Sequence, residues 1–402
     1  MSGIVVVGAG QAGASLAARL RADGYDGKLT LIGEEHAPPY QRPPLSKKYL
    51  LGEMPLERLY LRPESFYEDN GIDLRTDCRV DAVDTRERVA ILGSEALRYE
   101  KLAFTTGAVP RRLPPAIGGL LGGVHVVRNL RDVDRIAAEV REGGRVLIVG
   151  GGYIGLEAAA VARGLGMEVT LVEMAERVLQ RVAAPETSEY FRALHREHGV
   201  DLREGVGLEC LTGETRVSGA RLTDGTELEL DLVIVGIGVA PATELAEATG
   251  LVLDNGIAVD TFGRTFDPHI WAAGDCASFP WRGGRIRLES VQNAIDQAEL
   301  VARNMLGAEA PYDPKIWFWS DQYDTKLQIA GLNTGYDRIV VRPGESAGSV
   351  SHWYYAGDRL LAVDAMNDAR AYMVGKRLID GGRSADPAAI ADPATVLKGL
   401  LR

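Results

Sequence analysis

Two hexapeptides in this chain have a spacing that chemistry can use. Gly8-Ala9-Gly10-Gln11-Ala12-Gly13 and Gly150-Gly151-Gly152-Tyr153-Ile154-Gly155 both read Gly-x-Gly-x-x-Gly. In that pattern the first glycine permits a tight turn and the second lets a pyrophosphate approach the backbone. The third lets a helix pack closely on a strand. A carboxylate follows each at a fitting distance: Glu34 lies 21 residues after Gly13, and Glu173 lies 18 after Gly155. Such a carboxylate is placed to accept hydrogen bonds from ribose hydroxyls. The three cysteines, Cys78, Cys210 and Cys276, are far apart and form no Cys-x-x-Cys or Cys-x4-Cys pair. That spacing excludes a zinc ribbon and a disulfide scaffold, and it offers no dithiol to take electrons. No metal site is expected either. The six histidines lack ligand spacing, and His195 and His198, on a charged helix, are expected to face solvent.

Pyrophosphate binding needs the glycines to sit between a buried strand and a helix N-terminus, where unpaired N–H groups and the helix dipole favour an anion. Both copies have that setting. Ile4–Val7 is a continuous β-branched run suited to a parallel strand buried on both faces. The spacing predicts a helix over Ala14–Arg21 and a second strand over Lys28–Ile32. Arg145–Val149, Leu156–Leu165 and Met167–Val172 repeat this order of strand, helix and strand. It is one unit repeated at large separation, not a short-period solenoid.

Between the copies lie Pro38, Pro39, Pro43 and Pro44, strand-like residues around Leu74–Val83, and a Pro- and Gly-rich stretch from Pro110 to Gly123 that reads as a linker. Leu232–Val235 is another buried strand, with a second boundary near Pro241. Leu251–Val259 and His269–Asp275 return to strand patterning, and Ser290–Leu306 reads as a helix. Beyond Ile316 the residues alternate in the β manner, then turn helical at Ala369–Gly381 and Pro393–Arg402. The expected fold is α/β, with two Rossmann-like three-layer nucleotide-binding domains and a C-terminal α+β domain. Residues 1–108 and 241–315 would form the first, discontinuous domain, 109–240 the second, and 316–402 the end domain.

Composition narrows the function classes. Apolar residues make up 46% and charged residues 25%, which suits a globular chain rather than a disordered one. No apolar run approaches the roughly 18–20 residues of a membrane-spanning helix. Met1-Ser2-Gly3 offers no basic region, so a cleaved secretory signal is not expected. A formal charge of −11 disfavours bulk nucleic-acid binding. The unpaired cysteines point to a reducing compartment, so a soluble cytoplasmic protein is expected. Two dinucleotide folds in one chain imply two dinucleotides, and the chemical reason to hold two is electron transfer between them. A flavin and a nicotinamide are the usual pair. Glu173 would repel a 2′-phosphate and so favours NADH over NADPH, although Arg177 and Arg181 follow one and two helical turns on.

Longer motifs run through the chain in a recognisable order. They are Tyr40-Gln41-Arg42-Pro43-Pro44-Leu45-Ser46-Lys47, Thr105-Thr106-Gly107-Ala108-Val109-Pro110-Arg111, Gly150–Glu157 and Gly236-Ile237-Gly238. Ala273-Gly274-Asp275-Cys276-Ala277, Glu289-Ser290-Val291-Gln292-Asn293-Ala294 and Trp317-Phe318-Trp319-Ser320-Asp321-Gln322 complete the set. With these motifs the whole chain resembles the FAD-dependent NADH:ferredoxin reductases of the putidaredoxin reductase and biphenyl dioxygenase reductase group, within the glutathione-reductase-like flavoproteins.

The resemblance implies that Gly8, Gly10 and Gly13 hold the FAD pyrophosphate, with Ala12 beside the phosphates and Glu34 on the adenosine ribose. It puts the Val80 backbone at the adenine and Arg131 near the phosphates. Asp275 would take the ribityl hydroxyls, Val291 the pyrimidine edge of the flavin, and Trp319 would cover the isoalloxazine. Lys47 would stand by flavin N5, paired with Glu157, and these two are the expected catalytic residues. Physically, an ammonium there would stabilise the reduced flavin, and a partly buried cation wants a carboxylate partner. NADH would be held by Gly150, Gly152, Tyr153, Ile154, Gly155, Glu157, Glu173 and Gly238.

The implied acceptor is a small [2Fe–2S] ferredoxin serving a heme-thiolate monooxygenase or a ring-hydroxylating dioxygenase. An acidic ferredoxin would seek a local basic patch, either Arg282, Arg285 and Arg287 or Arg370, Lys376 and Arg377. Glu299 stands where the family carries a basic residue. Two other readings stay open: an apoptosis-inducing-factor-like NADH-binding signalling flavoprotein, and the reductase of a rubredoxin.

Overall fold

The computed structural model describes residues 3–401; Met1, Ser2 and Arg402, which belong to terminal segments read above, lie outside the described residues. The chain forms two compact units. One contains the residues through Gln41, Leu56–Val109 and Val239–Lys315. The other contains Arg42–Pro55, Pro110–Gly238 and everything from Ile316 onward.

In the first unit the strand Gly3–Val7 is buried along its full length, as a run with no polar face must be. It pairs in parallel with Leu29–Ile32 on one side and with Glu95–Phe104 on the other. Ile72–Arg75 extends the first side, and Ile270–Ala272 pairs with Glu95–Phe104. Gly3–Val7 is therefore the point where strand order reverses, and its carboxyl end is where open α/β sheets bind ligands. The helices Gln11–Ala22 and Val291–Met305 pack in one core with this sheet through buried Leu16, Ala17, Leu20, Ala298, Val301 and Ala302.

The second unit repeats the plan. Its parallel sheet runs Asp201–Glu204, Glu168–Glu173, Arg145–Val149, Leu232–Val235, Val124–Val126, with the reversal at Arg145–Val149. The same unit carries an antiparallel sheet in the order Trp317–Gln322, Thr325–Gly331, Arg359–Met366, Val350–Ala356, Arg338–Pro343. Helix Ala369–Asp380 lies on it. Gly375 allows that close approach, since a Cβ there would come within 2.6 Å of Val363. Among the described residues no helix is long and apolar enough to cross a membrane.

Several elements differ from the sequence reading. Both fingerprint helices start three residues early, at Gln11 and Tyr153, because the end of each glycine hexapeptide is the first helical turn. Leu251–Val259 contributes only the short strand Ile257–Ala258. Of the expected helix Pro393–Arg402, the described residues show no α-helix. Pro387–Ala391 forms one turn and Leu397–Leu401 a three-ten turn, because the Arg342 guanidinium takes the carbonyls of Ile390, Asp392, Pro393 and Thr395. Arg42–Pro55, inside the expected first domain, packs in the second unit.

His195 does not face solvent. It is fully buried on the inner stripe of helix Pro185–Glu197 with Thr187 and Phe191, and burial pushes its pKa down to about 4. His198, half-buried, stacks on Tyr323 at 3.6 Å.

Candidate functional site

The two glycine cradles have the same construction. Gly8 and Gly150 take φ of +111° and +107°, open only to glycine without strain. A Cβ on Gly13 would stand 2.0 Å from the Gly8 carbonyl oxygen, and one on Gly155 would stand 1.9 Å from that of Gly150. The fold itself therefore requires the first and third glycines. The middle ones are different: a Cβ on Gly10 or Gly152 would meet nothing within 4 Å. Open space above those backbones is what an approaching pyrophosphate needs. Gly10 and Gly152 cap their helices without a side-chain bond, and neither first turn carries an acidic residue. Each cradle presents free N–H groups and a favourable dipole, so each fits a dinucleotide.

Around the first cradle the unit gathers most of the residues expected to hold FAD. Glu34 is exposed at the strand end, and a Cβ on neighbouring Gly33 would reach within 2.6 Å of the Ala9 Cβ. Asp77 N–H donates to the Glu35 carbonyl at 2.8 Å and Cys78 N–H to that of Gly33 at 2.9 Å, which carries the chain past Glu34 to buried Val80. A Cβ on Gly274 would lie 2.9 Å from that of Ala12, so the turn bearing Asp275 abuts the fingerprint helix. Val291 opens its helix, which Ser290 caps by accepting from Asn293 N–H at 3.1 Å. Cys276 is buried, and burial raises its thiol pKa. All three cysteines are free.

The second unit holds Arg131, Lys47 and Trp319. Arg131 is exposed in the first turn of Leu130–Glu139, behind a capping box of Asn129 and Asp132. Trp319 stacks on Trp317, with ring centroids 5.6 Å apart.

Beside the second cradle, Glu173 is held by two backbone donors. Its Oε2 accepts from Gly151 N–H at 2.7 Å and its Oε1 from Ala175 N–H at 2.8 Å. Arg177 is engaged elsewhere, donating to the Ala183 carbonyl at 2.9 Å and to Ser188 Oγ at 2.5 Å. Gly238 has φ +96°, and a Cβ there would stand 3.5 Å from the Arg181 guanidinium. Ile154 is exposed while Glu157, one turn further along the same helix, is only 4% exposed.

Glu157 is the best-bonded carboxylate of the region. Lys47 Nζ reaches its Oε1 at 2.9 Å, with the lysine side chain 17% exposed. Ser46 Oγ donates to Oε2 at 2.9 Å, and Ser320 Oγ donates to Oε1 at 2.7 Å. Ser46 and Lys47 are delivered by the prolines: Pro43–Ser46 is a three-ten turn, and Lys47 N–H returns to the Pro44 carbonyl at 3.0 Å. Ser320 comes from the strand Trp317–Gln322, whose alternation sorts its residues. Trp317 and Trp319 share one face. Phe318, Ser320 and Gln322 share the other, with Phe318 edge-on to Tyr153 at 5.8 Å. Breaking a buried pair of this kind strands a charge, at a cost of about 3–5 kcal/mol.

Sequence reasoning missed Ser46, Ser320, Gln322 and His195. The first three lie inside quoted motifs, and two polar residues sharing a strand face with Phe318 were the available signal. For His195 the signal was its i, i+4 spacing from Phe191 and Thr187. The basic clusters are largely spent internally. Arg285 donates to the carbonyls of Val259 and Ser278, Arg287 pairs with Glu289, Arg370 with Glu345 and Lys376 with Asp380. Arg282 lies over the Trp281 ring at 4.3 Å.

Comparison with known proteins agrees with this construction. Residues 2–298 match the pyridine nucleotide-disulphide oxidoreductase family, and residues 317–401 match the reductase C-terminal domain. The chain is 44% identical to a ferredoxin–NAD(P)(+) reductase of Sphingomonas sp., over 99% of this chain and 97% of that protein. It superimposes on the reductase of a covalent putidaredoxin reductase–putidaredoxin complex with a TM-score of 0.95 and 40% identity, covering 100% of this chain and 98% of that one. The ferredoxin reductase for the CYP199A2 system of Rhodopseudomonas palustris gives a TM-score of 0.96 at 40% identity, over 100% of both chains. With two glycine cradles of one construction and matches that run nearly end to end, the chain belongs to the pyridine nucleotide-disulphide oxidoreductase family, as a flavoprotein of its ferredoxin reductase branch.

Proposed function

We propose that this protein oxidises NADH with a bound FAD and delivers the electrons one at a time to a [2Fe–2S] ferredoxin. That ferredoxin in turn feeds a heme-thiolate monooxygenase or a ring-hydroxylating dioxygenase. The observation that carries the reading is the pair of cradles in one chain, each with its middle glycine left open for a pyrophosphate. Bound FAD supplies the chemistry the chain lacks, accepting a hydride and releasing two electrons separately. Without a cysteine pair to relay them, the electrons leave for an outside acceptor directly.

In this reading residues 1–108 with 241–315 form the FAD domain, 109–240 the NADH domain and 316–402 the end domain of a glutathione-reductase-like architecture. The three free cysteines suit action in the cytoplasm. Gly8, Gly10, Ala12 and Gly13 receive the FAD pyrophosphate, Glu34 and Val80 the adenosine end, with Arg131 adding a positive charge. Asp275 orients the ribityl chain. Val291, at a helix N-terminus, offers a positive dipole to the pyrimidine edge. Trp319 covers the ring.

Gly150, Gly152, Tyr153, Ile154, Gly155 and Gly238 seat NADH. Glu173, fixed by its two backbone donors, presents its charge to the adenosine ribose and repels a 2′-phosphate. Arg177 cannot relieve that repulsion, because its guanidinium is already bonded. Lys47 would bring its ammonium to the reducible ring atom, and Glu157, 2.9 Å from it, would hold it in place. Lys47→Ala is expected to lower flavin retention or to slow flavin reduction by NADH in stopped flow. Unchanged FAD content together with unchanged reduction would overturn the assignment.

A further inference from the structure

Ser320, Gln322 and His195 are buried polar groups that the reading above leaves without a task, with exposures of 1%, 1% and 0%. They form one continuous line of hydrogen bonds. Ser320 Oγ reaches Glu157 Oε1 at 2.7 Å, Gln322 Nε2 reaches Ser320 Oγ at 3.1 Å, and His195 Nε2 meets Gln322 Oε1 at 2.8 Å. The Tyr323 hydroxyl closes the line on His195 Nδ1 at 3.4 Å.

An ionised Glu157 fixes the direction of every bond in this line. A carboxylate only accepts, so Ser320 must donate to it. Ser320 Oγ then accepts from the Gln322 amide N–H, which turns the amide oxygen towards His195. That oxygen can only accept, so His195 carries its proton on Nε2. Its bare Nδ1 accepts from Tyr323, whose phenol burial keeps protonated. Burial also keeps His195 neutral, as this arrangement requires. Four donors thus point one way, from Tyr323 to Glu157. The line is not a proton wire, because an amide would have to become its imidic acid to pass a proton.

We propose that Ser320, Gln322 and His195 are positioning residues: their one-way line of donors holds Glu157 as a carboxylate aimed at Lys47. The proposal rests on the Lys47–Glu157 reading only for its effect on rate. The groups facing Glu157 are Lys47 and Ser46 from the Pro43–Lys47 segment and Ser320 from the strand. Those facing His195 are Gln322, Tyr323 and, on its own helix, His198.

The test uses the full chain, with and without FAD, as wild type and as Gln322→Glu, Gln322→Met, His195→Gln and His195→Phe. Nitrogen NMR of His195 in the wild type should show a neutral ring protonated at Nε2. The carboxyl carbon NMR signal of Glu157 should move in the three variants that break the line, which strip its Ser320 donor of support. His195→Gln, which still offers an N–H donor, should restore most of the wild-type behaviour. In FAD-loaded protein the same three variants should slow flavin reduction by about tenfold, with KM for NADH changed less than about twofold. An Nδ1–H tautomer, a charged ring at neutral pH, or an unmoved Glu157 in both Gln322 variants would overturn the proposal. A shifted Glu157 with unchanged flavin reduction would uphold the positioning line and contradict the redox role of Lys47 and Glu157 instead.

Discussion

Ser46 and Glu157 lie 111 residues apart in the chain, yet two serines and one lysine converge on a single buried carboxylate. Glu157→Gln should keep most of the hydrogen-bond geometry while leaving the Lys47 ammonium without its counter-charge. The expected outcome is a loss of about 3 kcal/mol in denaturant unfolding, together with slower NADH-driven flavin reduction. Glu173 offers a separate test at the same scale. Arg177 is bonded to Ala183 and Ser188, so in the proposed reading the preference for NADH would rest on the Glu173 carboxylate. Glu173→Ala should lower the ratio of kcat/KM for NADH over NADPH by about tenfold or more, as removal of a close like-charge repulsion does. The motifs made Lys47 and Glu157 legible because both sit in runs of unusual composition. His195 was misread because a charged helix suggested a solvated histidine, whereas its inner stripe is built from Thr187, Ser188 and Phe191.

The glycine turns separate two duties that the sequence pattern merges. Gly13 and Gly155 are required by the fold, since any side chain would run into a carbonyl oxygen two ångströms away or less. At Gly10 and Gly152 a Cβ would meet nothing within 4 Å, so in the proposed reading it is the ligand, not the fold, that would require them. Gly13→Ala should therefore lower the melting temperature of the cofactor-free protein, while Gly10→Ala should leave it near wild type and abolish stable FAD retention. Calorimetry and the flavin content of the same preparations separate the two effects. A Gly10→Ala variant that keeps its FAD would contradict the role given to the first cradle.

At this scale the sequence was most readable where the chain obeys a single period. Arg145–Val149 and Leu232–Val235 are strands with the bounds their apolar runs suggest. It was least readable near the C-terminus, where the Arg342 side chain, rather than a ladder, satisfies four backbone carbonyls.

Across the whole molecule, buried titratable groups tie stability to pH. Burial lowers the pKa of His195 and His352 to about 4 from 6.5, so between those values the unfolded chain binds protons that the folded chain refuses. Both histidines therefore make stability rise with pH across that window, level off above about 6.5, and fall away toward pH 4. Asp364, raised to about 6 by burial, acts in the opposite sense: the folded chain holds a proton that the unfolded chain releases. Two histidines outweigh one aspartate over most of the range. His195→Gln should remove one proton equivalent, flattening the slope of unfolding free energy by about 1.4 kcal/mol per pH unit between pH 4 and 6.5. Equilibrium unfolding at a series of pH values reads that slope.

Electron delivery from NADH to a ferredoxin is tested most directly by counting. Flavin-loaded protein is mixed anaerobically with limiting NADH and an excess of oxidised [2Fe–2S] ferredoxin, and both absorbances are followed. Two ferredoxins reduced for each NADH consumed, with NADPH far slower, is the expected result. A flavin that NADH reduces but no ferredoxin reoxidises, or one that NADH leaves oxidised, would contradict it.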